Sequence, residues 1–294
     1  MKLIENNLDL YRPDKESWKK SLTYSSKLKS FENKKIVFHC LWRVPLDFSR
    51  KQLSVIKSII VNHDLKDTEI NLWSNIDLSD NEYYKEISEY VNFRIWNLQD
   101  EIKDTILEKK LDLNVDDNLC YLEGDLFRLL VLHKYGGFYI DMDVLVLRDM
   151  SPLNNFEFLY QWGTSGFNTY EQNITMNGAV MRLEKKSDLS VEFLEKILIT
   201  KPIPNTTIWG NQLYSKIESS DLLVLPGVWF DSEWGFEHTE LVPFKKVENI
   251  ELFEGAFTWH WHNRWNDEIE YGSKFEYLER LHNDKFNKLK SNLI

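Results

Sequence analysis

GDLFRLLVLHKYGGFYIDMDV, Gly124 to Val144, is the stretch from which the rest of the chain can be read. An apolar helix ends at two glycines, a short apolar strand follows at once, and the strand finishes on Asp141 and Asp143, one residue apart. Gly136, just past the last helical turn, is free to take the left-handed conformation that stops a helix. Strand side chains alternate faces, so extended geometry continued through Asp141 and Asp143 points both carboxylates to one side. Two like charges that close call for a positive partner, and a divalent metal is the common one. Asp125 and Arg128, three residues apart in the helix, occupy neighbouring positions on one face. The two-glycine connection is too short to carry them far from the acid pair, and an acid with a guanidinium beside a metal is suited to gripping ligand hydroxyls.

Working outward, KKIVFHCLW from Lys34 reads as a buried strand, SRKQLSVIKSIIVNHD as an amphipathic helix and TEINLWS as a second strand. DNEYYKEISEYV reads as helix, NFRIWN as strand and LQDEIKDTILEKK as helix. Strands alternating with helices imply an open, mainly parallel α/β sheet that binds ligands beyond the C-terminal ends of its strands. After the acid pair, VLVLRDM, FEFLYQW, NITMNGAVMRL, DLLVLPG and GAFTWHWH read as strands, with helices at SDLSVEFLEKILI and WGNQLYSKIESS. There is no internal repeat and no flexible linker, so one domain is expected over residues 34–272. A helical N-terminal extension over 1–33, with Pro13 near the start of its helix, and a C-terminal helix over 273–294 frame it.

With 294 residues the chain can bury a sizeable core, and a net charge of -11 argues against a general nucleic-acid binder. No apolar run approaches a membrane span and the first residues lack the apolar core of a signal peptide, which gives the expectation of a soluble, cytoplasmic protein. Cys40 and Cys120 form no metal-type pair, and Cys40, within a buried strand, is expected to be a quiet core thiol.

The combined run of Asp125, Arg128, an apolar helix, Gly-Gly, an aromatic and Asp-x-Asp resembles the signature of the glycosyltransferases with a DXD sugar-binding region, family 32 and its relatives. That group includes initiating α-mannosyltransferases and α-galactosyltransferases, bacterial capsule and lipooligosaccharide enzymes and, more distantly, the large clostridial glucosylating toxins. IVFHCLW, ending in Trp42, is similar to the family's first strand; NITMNGAVMR, around Asn177, to the strand near the donor sugar; HWHNRW, His260 to Trp265, to a loop that closes over the donor diphosphate. Many relatives carry Gly-Ser before that final Trp, where this sequence has Asn263 and Arg264. The similarity runs from about residue 35 to 265.

The resemblance implies a GT-A-like fold and a retaining transfer of a sugar, from a nucleotide-sugar donor, to a glycan, lipid-linked sugar or protein acceptor, with an α-linkage. A uridine diphosphate sugar is preferred over guanosine diphosphate mannose. Carried onto this chain, it implies Asp143 as a ligand of Mn²⁺ or Mg²⁺, and Asp141 on the ribose or donor sugar and the metal. Asp125 and Arg128 fall on donor hydroxyls, Tyr139 and Asn177 in the donor site, Trp42 under the nucleobase and Trp265 on the β-phosphate. His260 or Asn263 completes the metal shell, with His262 behind them, at least one of the two histidines being expected to face away from the site. FYIDMDV also fits the DxDx[TV] signature of haloacid-dehalogenase phosphatases, which would make Asp141 a nucleophile, although three expected strands precede it here. A sugar-nucleotide-binding protein without turnover is the remaining alternative.

Overall fold

The computed structural model describes residues 2–4, 7–12, 14–30, 35–43, 47–110, 121–162, 175–233 and 242–293, with 167–168, 171–172 and 293 as backbone alone. The expectation on Pro13, and Cys120, lie outside the described residues. In chain order the first half holds β1 (Lys2–Leu3), α1 (Lys15–Ser26), β2 (Ile36–Trp42), α2 (Arg50–Asn62), β3 (Thr68–Ser74), α3 (Glu82–Lys85), β4 (Asn92–Ile95) and α4 (Leu98–Glu101). Then come α5 (Tyr121–Tyr135), β5 (Gly137–Ile140), β6 (Val144–Val146), β7 (Phe158–Gln161), β8 (Phe167–Asn168), β9 (Glu171–Gln172) and β10 (Met176–Leu183). The chain closes with α6 (Asp188–Ile199), α7 (Ile208–Tyr214), β11 (Leu223–Leu225), β12 (Thr258–His260) and α8 (Lys274–Leu293).

Eight strands form the main sheet in the order β1-β11-β7-β10-β5-β2-β3-β4. All neighbours are parallel except β10, which runs antiparallel to both β7 and β5. The mainly parallel α/β sheet expected from the alternation is therefore present. Its two faces follow the strand period: Phe38 and Cys40 of β2, with Phe138 and Ile140 of β5, pack into the core beneath α2 and α8. Leu41 and Tyr139 face the other core, built on α5, α6 and α7. Cys40 is fully buried, as expected, and burial pushes its thiol pKa up.

Two readings need correction. DNEYYKEISEYV and LQDEIKDTILEKK hold only the four-residue helices α3 and α4. Beyond them the amide of each turn reaches back three residues instead of four, as in Ile87 to Tyr84 and Tyr90 to Ile87. Asp104 and Lys109 adopt left-handed backbone angles that break a helix, yet Ile102 and Leu107 remain buried, so the apolar spacing is satisfied by successive tight turns. GAFTWHWH holds the expected strand, β12, which pairs with β6 outside the main sheet.

α8 packs on α2, where Arg50 Nε reaches Glu279 at 2.6 Å, Ser54 donates to the same carboxylate at 3.1 Å and Lys57 donates to Asn283 at 2.9 Å. Phe275, Leu278 and Phe286 bring its apolar stripe into the α2-side core. Among the described residues no helix is long and apolar enough to cross a membrane.

Candidate active site

The turn between α5 and β5 requires its glycines. Gly136 and Gly137 have φ of 71° and 103°, and a Cβ on Gly137 would lie 2.5 Å from the Val37 carbonyl oxygen of the adjacent β2. The turn sends β5 straight back along α5 and delivers the acid pair to the C-terminal edge of the sheet. There β5 stops at Ile140. The Asp141 amide donates to the Ala179 carbonyl at 2.8 Å, and the Val144 amide returns to the Asp141 carbonyl at 3.1 Å. Asp141-Met142-Asp143 is thus a tight turn, not the continued strand expected from alternation, and it is the turn that aims both carboxylates into one cavity of about 400 Å³. Trp42, Asp125, Arg128, Tyr139, Asn177, His260, His262, Asn263 and Trp265 line the same cavity, so all the residues singled out in the sequence meet there.

Their charges are paired within the protein. Arg128 lies between two carboxylates, 3.4 Å from Asp125 and 3.2 Å from Asp141. Its guanidinium also lies 4.8 Å from the centre of the Tyr139 ring and donates to the Tyr214 hydroxyl at 3.4 Å. The Tyr139 hydroxyl donates to Asp141 Oδ1. Tyr139 therefore lies at the cavity wall with its hydroxyl engaged by Asp141. Burial raises the pKa of Asp141, and the charge of Asp143 adds to that while Arg128 opposes it. Gly210 of α7 makes room for this cluster, because a Cβ there would sit 2.8 Å from both Asp125 oxygens.

Asp143 is held from the other side. Its side chain is 3% exposed, its Oδ2 lies 3.2 Å from His260 Nε2, and the Asn263 amide donates to Oδ2 at 2.7 Å. Burial pushes the Asp143 pKa up, but His260, the Asn263 amide and His262 outweigh it and leave it lowered. For His260 burial acts downward, and the charges of Asp143, Asp231 and Asp141 win, raising it to about 9.

Neither histidine faces away from the site: both line the cavity. β12 ends at His260, and His262 and Asn263 take left-handed φ of 52° and 54°. This reversal stacks the two imidazoles at 3.8 Å between centroids and brings both to Asp231. It also corrects the place of Asn263: its main-chain N–H meets Asp143, while its side-chain oxygen accepts from the Trp265 indole at 3.1 Å. The indole N–H expected on a phosphate is thus held inside the loop. Trp265 packs on Trp42, 4.9 Å between centroids, to form one wall. Asn177 sits where the β10–β7 register shifts, its oxygen accepting from the Ala179 amide at 2.7 Å.

Asp231, Gly210, Tyr214, Tyr160 and Arg43 also belong to this neighbourhood and were not found from the sequence. Arg43 and Tyr214 line the cavity, and Arg43 pairs with Glu123. Tyr214 and Gly210 lie within WGNQLY, whose helical signal was legible, but nothing local says that its face meets Asp125. A divalent cation suits the donors present: two carboxylates on one turn with an imidazole 3.2 Å from the inner one, on a site whose excess charge is negative.

Residues 49–160 match the family model described as glycosyltransferase sugar-binding region containing DXD motif. A stretch of 77 residues, 26% of this chain, is 40% identical to an uncharacterized protein of Arabidopsis thaliana, of which it spans 11%. Among solved structures, the glycosyltransferase GlyE of Streptococcus pneumoniae aligns over 88% of this chain and 64% of its own, with a TM-score of 0.53 and 13% identity. Its apo form aligns over 89% of this chain and 64% of its own, with a TM-score of 0.52 and 13% identity. The chain thus spans less than two thirds of those structures and about a ninth of the curated relative. The likeness to GlyE shows the fold, a GT-A arrangement, and the span of the family match includes Asp141 and Asp143.

Proposed function

We propose that this chain, whose residues 49–160 carry the DXD sugar-binding region of glycosyltransferases, is a metal-dependent retaining glycosyltransferase. It takes a nucleotide-sugar, a uridine diphosphate sugar in preference to guanosine diphosphate mannose, and forms an α-linkage to a hydroxyl of a glycan or other acceptor. The observation that carries the reading is the convergence of Asp125, Arg128, Asp141 and Asp143 with His260 on one cavity at the C-terminal edge of the sheet. The retaining outcome and the donor preference rest on the family resemblance.

Each residue's part follows from where it stands. Asp143 and His260 would hold Mn²⁺ or Mg²⁺, with Asp141 on the same cation or on the ribose. A cation bound there would supply Lewis-acid compensation for the charge left on the departing diphosphate. Asp125 and Arg128, already oriented by each other and by Tyr214, would grip hydroxyls of the donor sugar, which fixes its anomeric carbon without reorganising the site. The Trp42 and Trp265 rings would flank the base. Asp125 is the carboxylate nearest the donor position by this reading; a hydroxyl contact is its assigned role, and front-face and covalent routes both remain compatible with it. The phosphatase alternative asks Asp141 to be an open nucleophile, whereas Arg128 and Tyr139 engage it, and its turn follows the fifth described strand of the main sheet.

The test is a thermal-shift panel of nucleoside diphosphates and their sugars with and without Mn²⁺, read alongside product analysis. Metal-dependent stabilisation by one sugar nucleotide, lost in Asp143→Asn, is the expected result. Stabilisation without any hydrolysis or transfer would favour a binding protein. No response to any sugar nucleotide, with cleavage of a simple phosphate ester, would replace the transferase with the phosphatase.

A further inference from the structure

Behind the acid pair lies a second group of donors, of which the reading above uses only His260. Asp231 follows the tight turn Gly227–Trp229, its amide donating to the Gly227 carbonyl at 2.8 Å, and its side chain is 4% exposed. One carboxylate oxygen, Oδ1, lies 2.9 Å from His262 Nε2. The other, Oδ2, is buried and accepts no hydrogen bond among the described residues, facing His260 Nδ1 at 3.8 Å. A buried carboxylate oxygen without a donor has lost its hydration with no hydrogen bond in its place.

One carboxylate oxygen and two imidazole nitrogens here lie within 4.8 Å of one another. The left-handed turn at His262 keeps its ring stacked on that of His260, so both nitrogens face the same carboxylate. The Tyr160 hydroxyl, 3.4 Å from His260 Nδ1, adds an oxygen at the rim of the group. His260 and His262 also line the cavity, which gives an ion a way in. Two imidazoles with one carboxylate suit a borderline transition ion, whereas Mg²⁺ and Ca²⁺ prefer all-oxygen shells.

We propose that Asp231, His260 and His262 form a separate site for a divalent cation of the Zn²⁺ class, adjacent to the acid pair and sharing His260 with it. The site itself rests on these three residues; only its competition with a cation on Asp143 rests on the transferase reading. A neutral imidazole has one lone pair. Zn²⁺ on Nδ1 leaves Nε2 as an N–H that donates to Asp143, 3.2 Å away, and denies that nitrogen to a cation on the acid pair. The two ions therefore compete for one ring.

The experiment uses the full chain, stripped of metal and free of any histidine tag. Zn²⁺ binding is followed by equilibrium dialysis with elemental analysis, and Mn²⁺ binding by electron paramagnetic resonance. Wild type is expected to hold one Zn²⁺ per chain at the new site, with affinity about 10-fold or more lower in His262→Gln and in Asp231→Asn, and kept in Asp143→Asn. Mn²⁺ binding should be lost in Asp143→Asn and kept in His262→Gln, and Zn²⁺ should weaken it in wild type but not in His262→Gln. Circular dichroism identifies folded variants, and His262→Gln, at a residue on the cavity wall, carries the test if Asp231→Asn does not fold. Zn²⁺ binding that vanishes in Asp143→Asn and is unchanged in His262→Gln would place the ion on the acid pair and overturn the proposal, as would no Zn²⁺ bound by wild type. Zn²⁺ bound as expected, with neither Mn²⁺ nor any sugar nucleotide bound, would leave this site standing and remove the transferase reading.

Discussion

Replacing Lys51 with Met should loosen one segment of the cavity wall without unfolding the sheet. Lys51 sits in the first turn of α2 and is 5% exposed, and its ammonium donates to the carbonyls of Arg264, Trp265 and Asp267 at 2.7, 2.9 and 2.6 Å. The same nitrogen lies 3.8 Å from the centre of the Phe244 ring. Methionine keeps most of the apolar stem and removes all three donors. Residues 264, 265 and 267 are only half-buried, so water can replace part of what is lost, and each bond falls below the usual range for a charged donor, to about 1 kcal/mol. Three bonds give about 3 kcal/mol, or about 100-fold in the equilibrium for opening the segment. Hydrogen exchange reads this directly, because the amides of Asn263 and Glu270 are held by Asp143 Oδ2 at 2.7 Å and the Phe244 carbonyl at 2.8 Å. Their protection should fall by about that factor while amides of β2 and β3 keep theirs. Donor-dependent thermal stabilisation should weaken too, since Trp265 and Asn263 ride on the same segment. Unchanged protection at both amides would refute the idea that the lysine holds the loop.

Three other expectations are narrower. Gly210→Ala gains about 1 kcal/mol of helix propensity but drives a methyl to 2.8 Å from both Asp125 oxygens, an overpacking cost of about 1–3 kcal/mol. The variant should therefore stay folded and lose metal-dependent donor stabilisation, and retention of a wild-type donor shift would show that Asp125 need not sit where it does. In metal-free protein the His260 imidazole, raised from 6.5 to about 9, should titrate near 9 by NMR. Its folded pKa lies above the unfolded one, so its contribution to stability is complete below about pH 6.5 and is lost as pH rises through about 9; a midpoint at or below 6.5 would remove the assigned pairing with Asp143. Cys40, fully buried with its thiol pKa raised by burial, should resist alkylation until the chain unfolds, and labelling of Cys40 at native rates would contradict its place in the core.

What was legible in the sequence is what is set locally. The helix, the two glycines and the strand around Tyr135 to Ile140 are linked by a turn with almost no freedom, so Asp125, Arg128, Asp141 and Asp143 come together whatever the rest of the chain does. The alternation of Phe38, Leu41 and Cys40 across the sheet is equally local. The helices expected over 80–91 and 98–110 failed because their apolar spacing fits a series of tight turns as well as a helix, and burial of Ile87, Ile102 and Leu107 does not distinguish the two.

The second half of the site depends on pairing between distant segments. β12 joins β6 with His260 opposite Val144, Trp259 opposite Leu145 and Thr258 opposite Val146, which sets His260 beside Asp143. A slip of one residue would bring Trp259 there instead and turn His260 to the other face. The register is held from the far side: the Trp259 indole donates to Glu233 at 2.7 Å, and Lys274 of α8 donates to the same carboxylate at 2.6 Å. Glu233 lies two residues after Asp231, so the contact that fixes which face β12 presents also fixes the segment that brings Asp231 to His260 and His262. No short-range pattern in FDSEW or TWHWH expresses that dependence, because it exists only once α8 has docked on the domain. The acid pair is thus encoded by a motif, and the histidines around it by the packing of a helix that begins about 130 residues later.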